Sequence, residues 1–228
     1  RRAEQHRAEL LGFIAHDIRS PQASLVSLVQ LQRMNPSSMS YEEVLAHVDT
    51  LAHSTLTLCE ELLQIMRSES RPLRREAMDL VTIIDQARSE AQPQALARHI
   101  TLIWTWPEGQ HAELMGDASQ LKRALMNLLS NAIKFSPEHT SVTIALASRP
   151  GQWVLSVSDQ GPGITQADVS RLFKRYERIE SDEPLRLAPG IGLGLVFVDT
   201  VIKRHGGQIR VISAPGQGAT FEWTLPAE

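Results

Sequence analysis

His16 stands in the hexapeptide HDIRSP, followed at once by Asp17 and then by Ser20 and Pro21. An imidazole beside a carboxylate can have its tautomer fixed, which raises the nucleophilicity of the other ring nitrogen. At about 100° per residue, His16 falls opposite the apolar stripe Leu11, Ile14, Ile18, Leu25 and Leu28 and so faces water. A solvated surface histidine is the plain alternative. Pro21 removes the backbone bond to the Asp17 carbonyl and should bend the helix beside the histidine.

A second set of polar residues suits a nucleotide. Asn127, Asn131 and Lys134 recur at i, i+4 and i+7, while Leu121, Leu125, Leu128 and Ala132 cover another face. Asparagine is a poor helix former, and a merely solvated face would more readily use Glu, Lys or Gln. Two amides and an ammonium in line suit a Mg²⁺-phosphate group, with hard oxygen ligation and charge neutralisation. Asp117 in DASQ is placed to cap that helix. The segment DQGPGI places Asp159 after a strand, where its carboxylate could accept the exocyclic amine of a base. Gly161 and Gly163 would allow close approach. Gly190, Gly192 and Gly194 open a further helix, whose free N–H groups and partial positive charge suit phosphate. Gly216 and Gly218 then lead into the last strand.

Two kinds of element must hold these groups. Residues 1–70 carry one glycine and two prolines, and two helical apolar stripes flank the turn-like string NPSSMS. The second stripe is Val44, Val48, Leu51, Leu58, Leu62 and Ile65. Two helices of ~32 and ~28 residues would be ~48 and ~42 Å long. Such a hairpin has no second layer to cover its seam, so a homodimeric four-helix bundle is expected. Residues 71–228 alternate strands and helices instead. Ile100–Trp106, Ser141–Ala147, Trp153–Ser158, Gln208–Ser213 and Ala219–Leu225 read as strands. Asp79–Arg98, Ala118–Phe135, Gln166–Phe173 and Ile191–His205 read as helices. Tight Pro-Gly turns between consecutive strands predict an antiparallel or mixed sheet with helices on one face. Ile179–Pro189 is polar and patternless, and reads as a mobile loop.

Bulk composition narrows the classes. With 42% hydrophobic and 21% charged residues, the chain is an ordinary globular protein rather than a disordered one. A net charge of −3 argues against a dedicated nucleic-acid binder. The single Cys59 permits no internal disulfide, which predicts a reducing, cytoplasmic setting. No apolar run approaches the ~18 residues of a membrane span, so this segment requires no membrane contact. Because the sequence begins with Arg1, it is expected to be a piece of a longer protein whose full length could be membrane-anchored.

In order and spacing these motifs resemble the catalytic core of a sensor histidine kinase of two-component systems. FIAHDIRSPQASL is similar to the family's H box, NLLSNAIKFSP to its N box and DQGPGI to its first glycine box. LFKRYER is similar to the F box, and GIGLGL and GQGATF to the later glycine boxes. The resemblance implies an α plus α/β chain. A dimerisation and histidine-phosphotransfer domain over 1–70 would form a helical hairpin that pairs into a four-helix bundle. An α/β-sandwich catalytic domain over 71–228, with a mixed sheet, would bind ATP and Mg²⁺. It further implies that His16 accepts the phosphoryl group and that Asp17 activates it. Asn131 would be the Mg²⁺ ligand, with Asn127 and Lys134 on the phosphates and Phe135 bordering the adenine. Asp159 would bind the adenine amine, with Thr220 supporting it, and Arg178 would approach the γ-phosphate. Gly190, Gly192 and Gly194 would hinge a lid loop. Partners implied are a second copy, an upstream sensor domain and the receiver domain of a response regulator, with no nucleic acid.

Two positions depart from the family pattern. Ile191 stands where a small polar residue is usual. Ser20 stands where members that dephosphorylate their partner usually carry Thr or Asn, which makes it the candidate phosphatase residue. A gyrase-type ATPase and a catalytically silent nucleotide-binding dimer are the rival classes. The first has no use for HDIRSP on the outer face of a dimerising hairpin, and the intact Asn131, Lys134, Asp159 and Arg178 set speaks against the second.

Overall fold

The computed structural model describes residues 21–36, 38–70, 72–107, 109–169, 171–173 and 193–227. The chain divides into two compact units between Gln64 and Ile65. The first contains a helix, α1, described over residues 21–34, and most of α2 (Tyr41–Ser70). The expected turn between them is present, with Ser38 N–H donating to the Asn35 carbonyl. Ser40 and Glu43 form a capping box at the start of α2. Glu43 Oε2 accepts the Ser40 N–H at 2.7 Å, and Ser40 Oγ accepts the Glu43 N–H at 3.2 Å. Leu25, Leu28, Val44, Val48 and Leu51 of the two stripes are half-buried, while Val26, Leu31, Leu45 and Leu56 are exposed. Among the described residues of this unit, no side chain is fully buried.

The second unit contains β1 (Glu76–Asp79), α3 (Leu80–Ala97), β2 (Thr101–Thr105), β3 (Glu113–Gly116) and α4 (Ala118–Phe135). It continues with β4 (Ser141–Arg149), β5 (Gln152–Ser158), α5 (Gln166–Val169), α6 (Leu193–Arg204), β6 (Gln208–Ser213) and β7 (Ala219–Pro226). Five strands form a mixed sheet in the order β2-β4-β5-β7-β6, with β2 and β4 parallel and the remaining pairs antiparallel. This is the α/β mixed sheet that the strand pattern predicted. Ile144 and Leu146 of β4 pair across one face with Val157 and Leu155 of β5, and Val142 on the same face pairs with Leu102 of β2. Trp223 and Leu225 of β7 continue that layer. On the alternate face Thr143, Ala145, Ser156 and Thr220 are small and less buried, whereas Val154 and Glu222 are buried.

The apolar faces of α3, α4 and α6 complete the core. Leu80, Ile84, Leu121, Leu125, Leu129, Ile133, Val198 and Ile202 are all completely inaccessible. On α4, the Leu121, Leu125, Leu128 and Ala132 face is buried as its spacing requires.

Three sequence expectations need correction. β1 and β3, which pair antiparallel as a separate two-stranded sheet, were not predicted. The helix expected over Gln166–Phe173 ends at Val169 and passes into a turn over residues 171–173. β4 extends two residues beyond Ala147, because its partner β5 begins at Gln152 and pairs with Arg149. Among the described residues, no helix is long and apolar enough to cross a membrane.

Candidate functional site

The site is built around α4. Asp117 caps it as expected: its Oδ1 accepts the Gln120 N–H at 3.1 Å. The reciprocal half of the box is replaced, however. Gln120 Nε2 turns to Asp117 Oδ2, and the Asp117 N–H donates to His205 Nε2 at 2.9 Å. At the other end, the guanidinium of Arg98 donates to the carbonyls of Lys134 and Ser136, putting a cation at the helix C-terminus. Both ends of the helix are therefore held by side chains distant in sequence.

Between these ends, Asn127, Asn131 and Lys134 are half-buried on the face away from the core. The start of α6 lies against this row, where a Cβ placed on Gly194 would stand 3.1 Å from Asn127 Oδ1. Lys134 Nζ lies 5.2 Å from the centre of the Phe135 ring, and that ring is partly exposed. Asn127 and Asn131 supply neutral amide oxygens. Among the described residues, no cluster of three or more His, Cys, Asp or Glu could hold a metal unaided. This donor set fits a Mg²⁺ that arrives with phosphate oxygens and keeps several waters.

Asp159 follows β5 and is fixed by its neighbours. Its Oδ1 accepts the N–H groups of Gly161 at 2.9 Å and Ala219 at 3.1 Å, and its own N–H donates to the Ala219 carbonyl. Burial pushes its carboxyl above the ordinary 3.8, against the lowering effect of the two N–H bonds. Among the described residues no group donates to Oδ2, which is the atom able to accept from a ligand.

The glycines of this loop pack against the protein's own backbone. A Cβ on Gly163 (φ +73°) would overlap the Ala214 carbonyl, and one on Gly161 would lie 2.9 Å from the Phe135 carbonyl. The close approach they permit is to the protein's own backbone, locking the loop to the β6–β7 turn and to the end of α4. Ser213 completes the lock, accepting the Ile164 N–H at 2.9 Å and donating to the Gly218 carbonyl at 2.6 Å. Thr220 faces the residue before Asp159 across the sheet. Its hydroxyl pairs with Ser158 Oγ at 2.8 Å, one residue before Asp159, because Ser158 and Thr220 are direct partners across β5 and β7.

The structure thus brings Asn127 to Gly194, and Phe135 to Gly161 and hence to the Asp159 loop. His16, Asp17, Ser20, Arg178, Gly190, Ile191 and Gly192 lie outside the described residues, as does the expected loop Ile179–Pro189. Arg98, His205 and Ser213 were not singled out from sequence. His205 alone had a local cue, since it ends a predicted helix just before Gly206 and Gly207.

A mixed sheet packed against helices, an asparagine row and a half-buried aspartate are features that suit a nucleotide-binding domain. The family described as histidine kinase-, DNA gyrase B- and HSP90-like ATPase matches residues 116–228. The sensor-like histidine kinase SenX3 of Mycolicibacterium smegmatis is 30% identical over 230 residues, covering 99% of this chain and 59% of SenX3. The solved mycobacterial sensor histidine kinase MprB is 31% identical, covering 68% of this chain and 98% of that one, with a TM-score of 0.57. Histidine kinase ThkA, solved in complex with response regulator TrrA, covers 100% of this chain and 64% of that one. Its TM-score is 0.80 at 19% identity, a likeness of fold. The chain belongs to the sensor histidine kinase family. It spans less than two thirds of SenX3.

Proposed function

We propose that this chain is the kinase core of a two-component sensor, transferring the γ-phosphoryl group of ATP to His16 and then to an aspartate of a response-regulator receiver domain. The observation that carries the reading is Asp159. Its Oδ1 is committed to two backbone N–H groups, while Oδ2 is left to accept the adenine amine. Phe135 borders the base, Asn127 and Lys134 contact the phosphates, and Asn131 is the protein ligand for Mg²⁺. When bound, Mg²⁺ neutralises charge on the phosphates. Lys134 and Arg178 offset the charge that remains. Thr220 supports the strand end that carries Asp159. Gly161 and Gly163 hold the base loop, and Gly190, Gly192 and Gly194 hinge the lid.

In the transfer step, a ring nitrogen of His16 donates its lone pair to the γ-phosphorus. The bond to the bridging oxygen breaks and ADP leaves. Asp17 holds the proton on the other ring nitrogen. Phosphohistidine then gives the phosphoryl group to a receiver carboxylate, as the ThkA–TrrA pairing suggests for that kinase. Residues 1–70 would be the phosphotransfer domain and 71–228 the catalytic domain. The half-buried stripes of α1 and α2 favour a homodimer closed as a four-helix bundle. Ser20, lacking the methyl group that restricts χ1 in threonine, would make the dephosphorylating activity weak. The working compartment would be the cytoplasm, with an upstream sensor domain in the longer protein.

The test is incubation with γ-labelled ATP and Mg²⁺. An acid-labile, alkali-stable label that His16→Gln abolishes, with ATP binding retained, is the expected result. ATP hydrolysis without phosphoprotein would make this a gyrase-type ATPase. A label kept by His16→Gln would move the acceptor to His47 or His53.

A further inference from the structure

His205 terminates α6 and is buried, with 3% of its surface exposed. Its Nδ1 lies 2.7 Å from the Val201 carbonyl and its Nε2 lies 2.9 Å from the Asp117 nitrogen. A carbonyl accepts and an amide donates, so the ring must be neutral, with the proton on Nδ1 and the lone pair on Nε2. The first contact closes the last turn of α6 on itself, and the second joins α6 to the start of α4, whose other end matters to the nucleotide. α6 begins at the Gly194–Asn127 contact and ends at the His205–Asp117 contact, so it runs antiparallel to α4 and is pinned to it at both ends.

We infer that His205 is a positioning residue for nucleotide binding: the Nε2 lone pair anchors α6 to the first turn of α4 and so fixes the distance at which Gly194 meets Asn127. The inference rests on the nucleotide reading of the Asn127–Asn131–Lys134 face. Protonation gives Nε2 a hydrogen that points at the Asp117 N–H, two donors with no acceptor between them in a buried site. The charged groups facing the ring are Arg75 from the segment before β1, Asp117 before α4 and Arg204 on α6 itself. Arg75 also donates to the Arg204 carbonyl at 2.8 Å, holding positive charge close by. Burial, with Arg75 and Arg204, holds the imidazole below its ordinary 6.5, against the Val201 bond and Asp117. The lock is therefore complete at neutral pH and is lost only as pH falls through that lowered value, where the folded protein's ring takes up its proton.

The experiment measures the affinity of the whole chain for a fluorescent ATP analogue with Mg²⁺ from about pH 7.5 down to the lowest pH at which both proteins stay folded, for wild type and His205→Gln. Glutamine can present Oε1 to the Asp117 N–H and has nothing to protonate. At the upper pH its affinity should lie within ~3-fold of wild type. Once pH is below the lowered value of the His205 ring, wild type should weaken by up to ~10-fold per pH unit relative to the variant. Titration of the nucleotide's phosphate and of Asp159 is common to both proteins and cancels in the ratio. Nitrogen-15 spectra of the wild-type ring should show the proton on Nδ1 at neutral pH.

A proton on Nε2 at neutral pH, or parallel pH profiles in the two proteins, would overturn the inference and leave nucleotide binding intact. Absence of nucleotide binding by wild type at every pH would overturn the underlying reading instead, and this one with it. His205→Ala removes the acceptor altogether. If it stays folded, it should bind weakly even at the upper pH.

Discussion

Gly194 meets Asn127 so closely that a single methyl group at position 194 would stand 3.1 Å from Asn127 Oδ1. The absence of a side chain there lets the first turn of α6 reach the polar face of α4. A Gly194→Ala variant separates packing from propensity. Alanine should favour the helix by up to about 1 kcal/mol, less in the first turn. The new methyl must push the Asn127 amide aside by a few tenths of an ångström. The expected outcome is a melting temperature no lower than wild type with affinity for Mg·ATP reduced several-fold. Equal affinity, measured by titration, would show that the Asn127 amide takes no part in binding.

Asn131 is half-buried on α4 beside the fully buried Leu128 and Ala132. Aspartate is nearly isosteric, so Asn131→Asp should fold, but it sets a negative charge where the triphosphate is proposed to lie. Mg·ATP binding or phosphorylation rate should fall by about tenfold or more. Near-normal values in a binding and turnover assay would remove Asn131 from the metal site.

Gly216 and Gly218 offer an internal control on the last glycine motif, because both have positive φ, +75° and +69°. Around Gly216 there is open space, whereas a Cβ on Gly218 would overlap the Asp159 carbonyl. Gly216→Ala should therefore cost about 1 kcal/mol, the strain of the left-handed conformation alone. Gly218→Ala should cost more than about 2 kcal/mol, because it also displaces the Asp159 loop. Urea unfolding of the two variants reads the difference directly, and equal losses would mean that the loop is not packed as described.

What could be read from sequence was set by how local each signal is. Period-two alternation marks β4 to β7, whose paired faces Leu146–Leu155 and Leu155–Trp223 each bury a layer. The i, i+4, i+7 row of Asn127, Asn131 and Lys134 is likewise visible, because helix geometry alone puts those residues on one face. β1 and β3 are four residues long, and the EAMD of β1 begins and ends on an acid, too short for alternation to show. They exist through their pairing with each other. The partner of Thr220 depended on strand register, which the sequence does not set by itself. Arg98 and His205 act on α4 across 36 and 88 residues of chain, by bonds from side chain to backbone that no periodicity records. The glycines of DQGPGI were visible, but whether they face ligand or backbone was not, since that depends on the β6–β7 turn.

Asp159 presents a conflict between stability and binding that one substitution can expose. Its carboxyl is raised above the ordinary 3.8 by burial, so the folded state holds a proton where the unfolded state has released it. Stability from this group is thus present below the ordinary value and is lost as pH rises through the raised one, where the half-buried carboxyl takes on its charge. Asp159→Asn removes that charge and keeps an Oδ1 able to accept from Gly161 N–H and Ala219 N–H. At neutral pH the variant should melt at a higher temperature than wild type, and the difference should close near about pH 3. Binding should move the other way. The amide places an NH₂ where Oδ2 stood, so a donor confronts the adenine amine, and affinity should fall roughly ten- to hundredfold. Melting curves at both pH values, with nucleotide titrations at neutral pH, test the two halves separately. A variant that is both more stable and equally tight in binding would show that the adenine amine is read by some other acceptor.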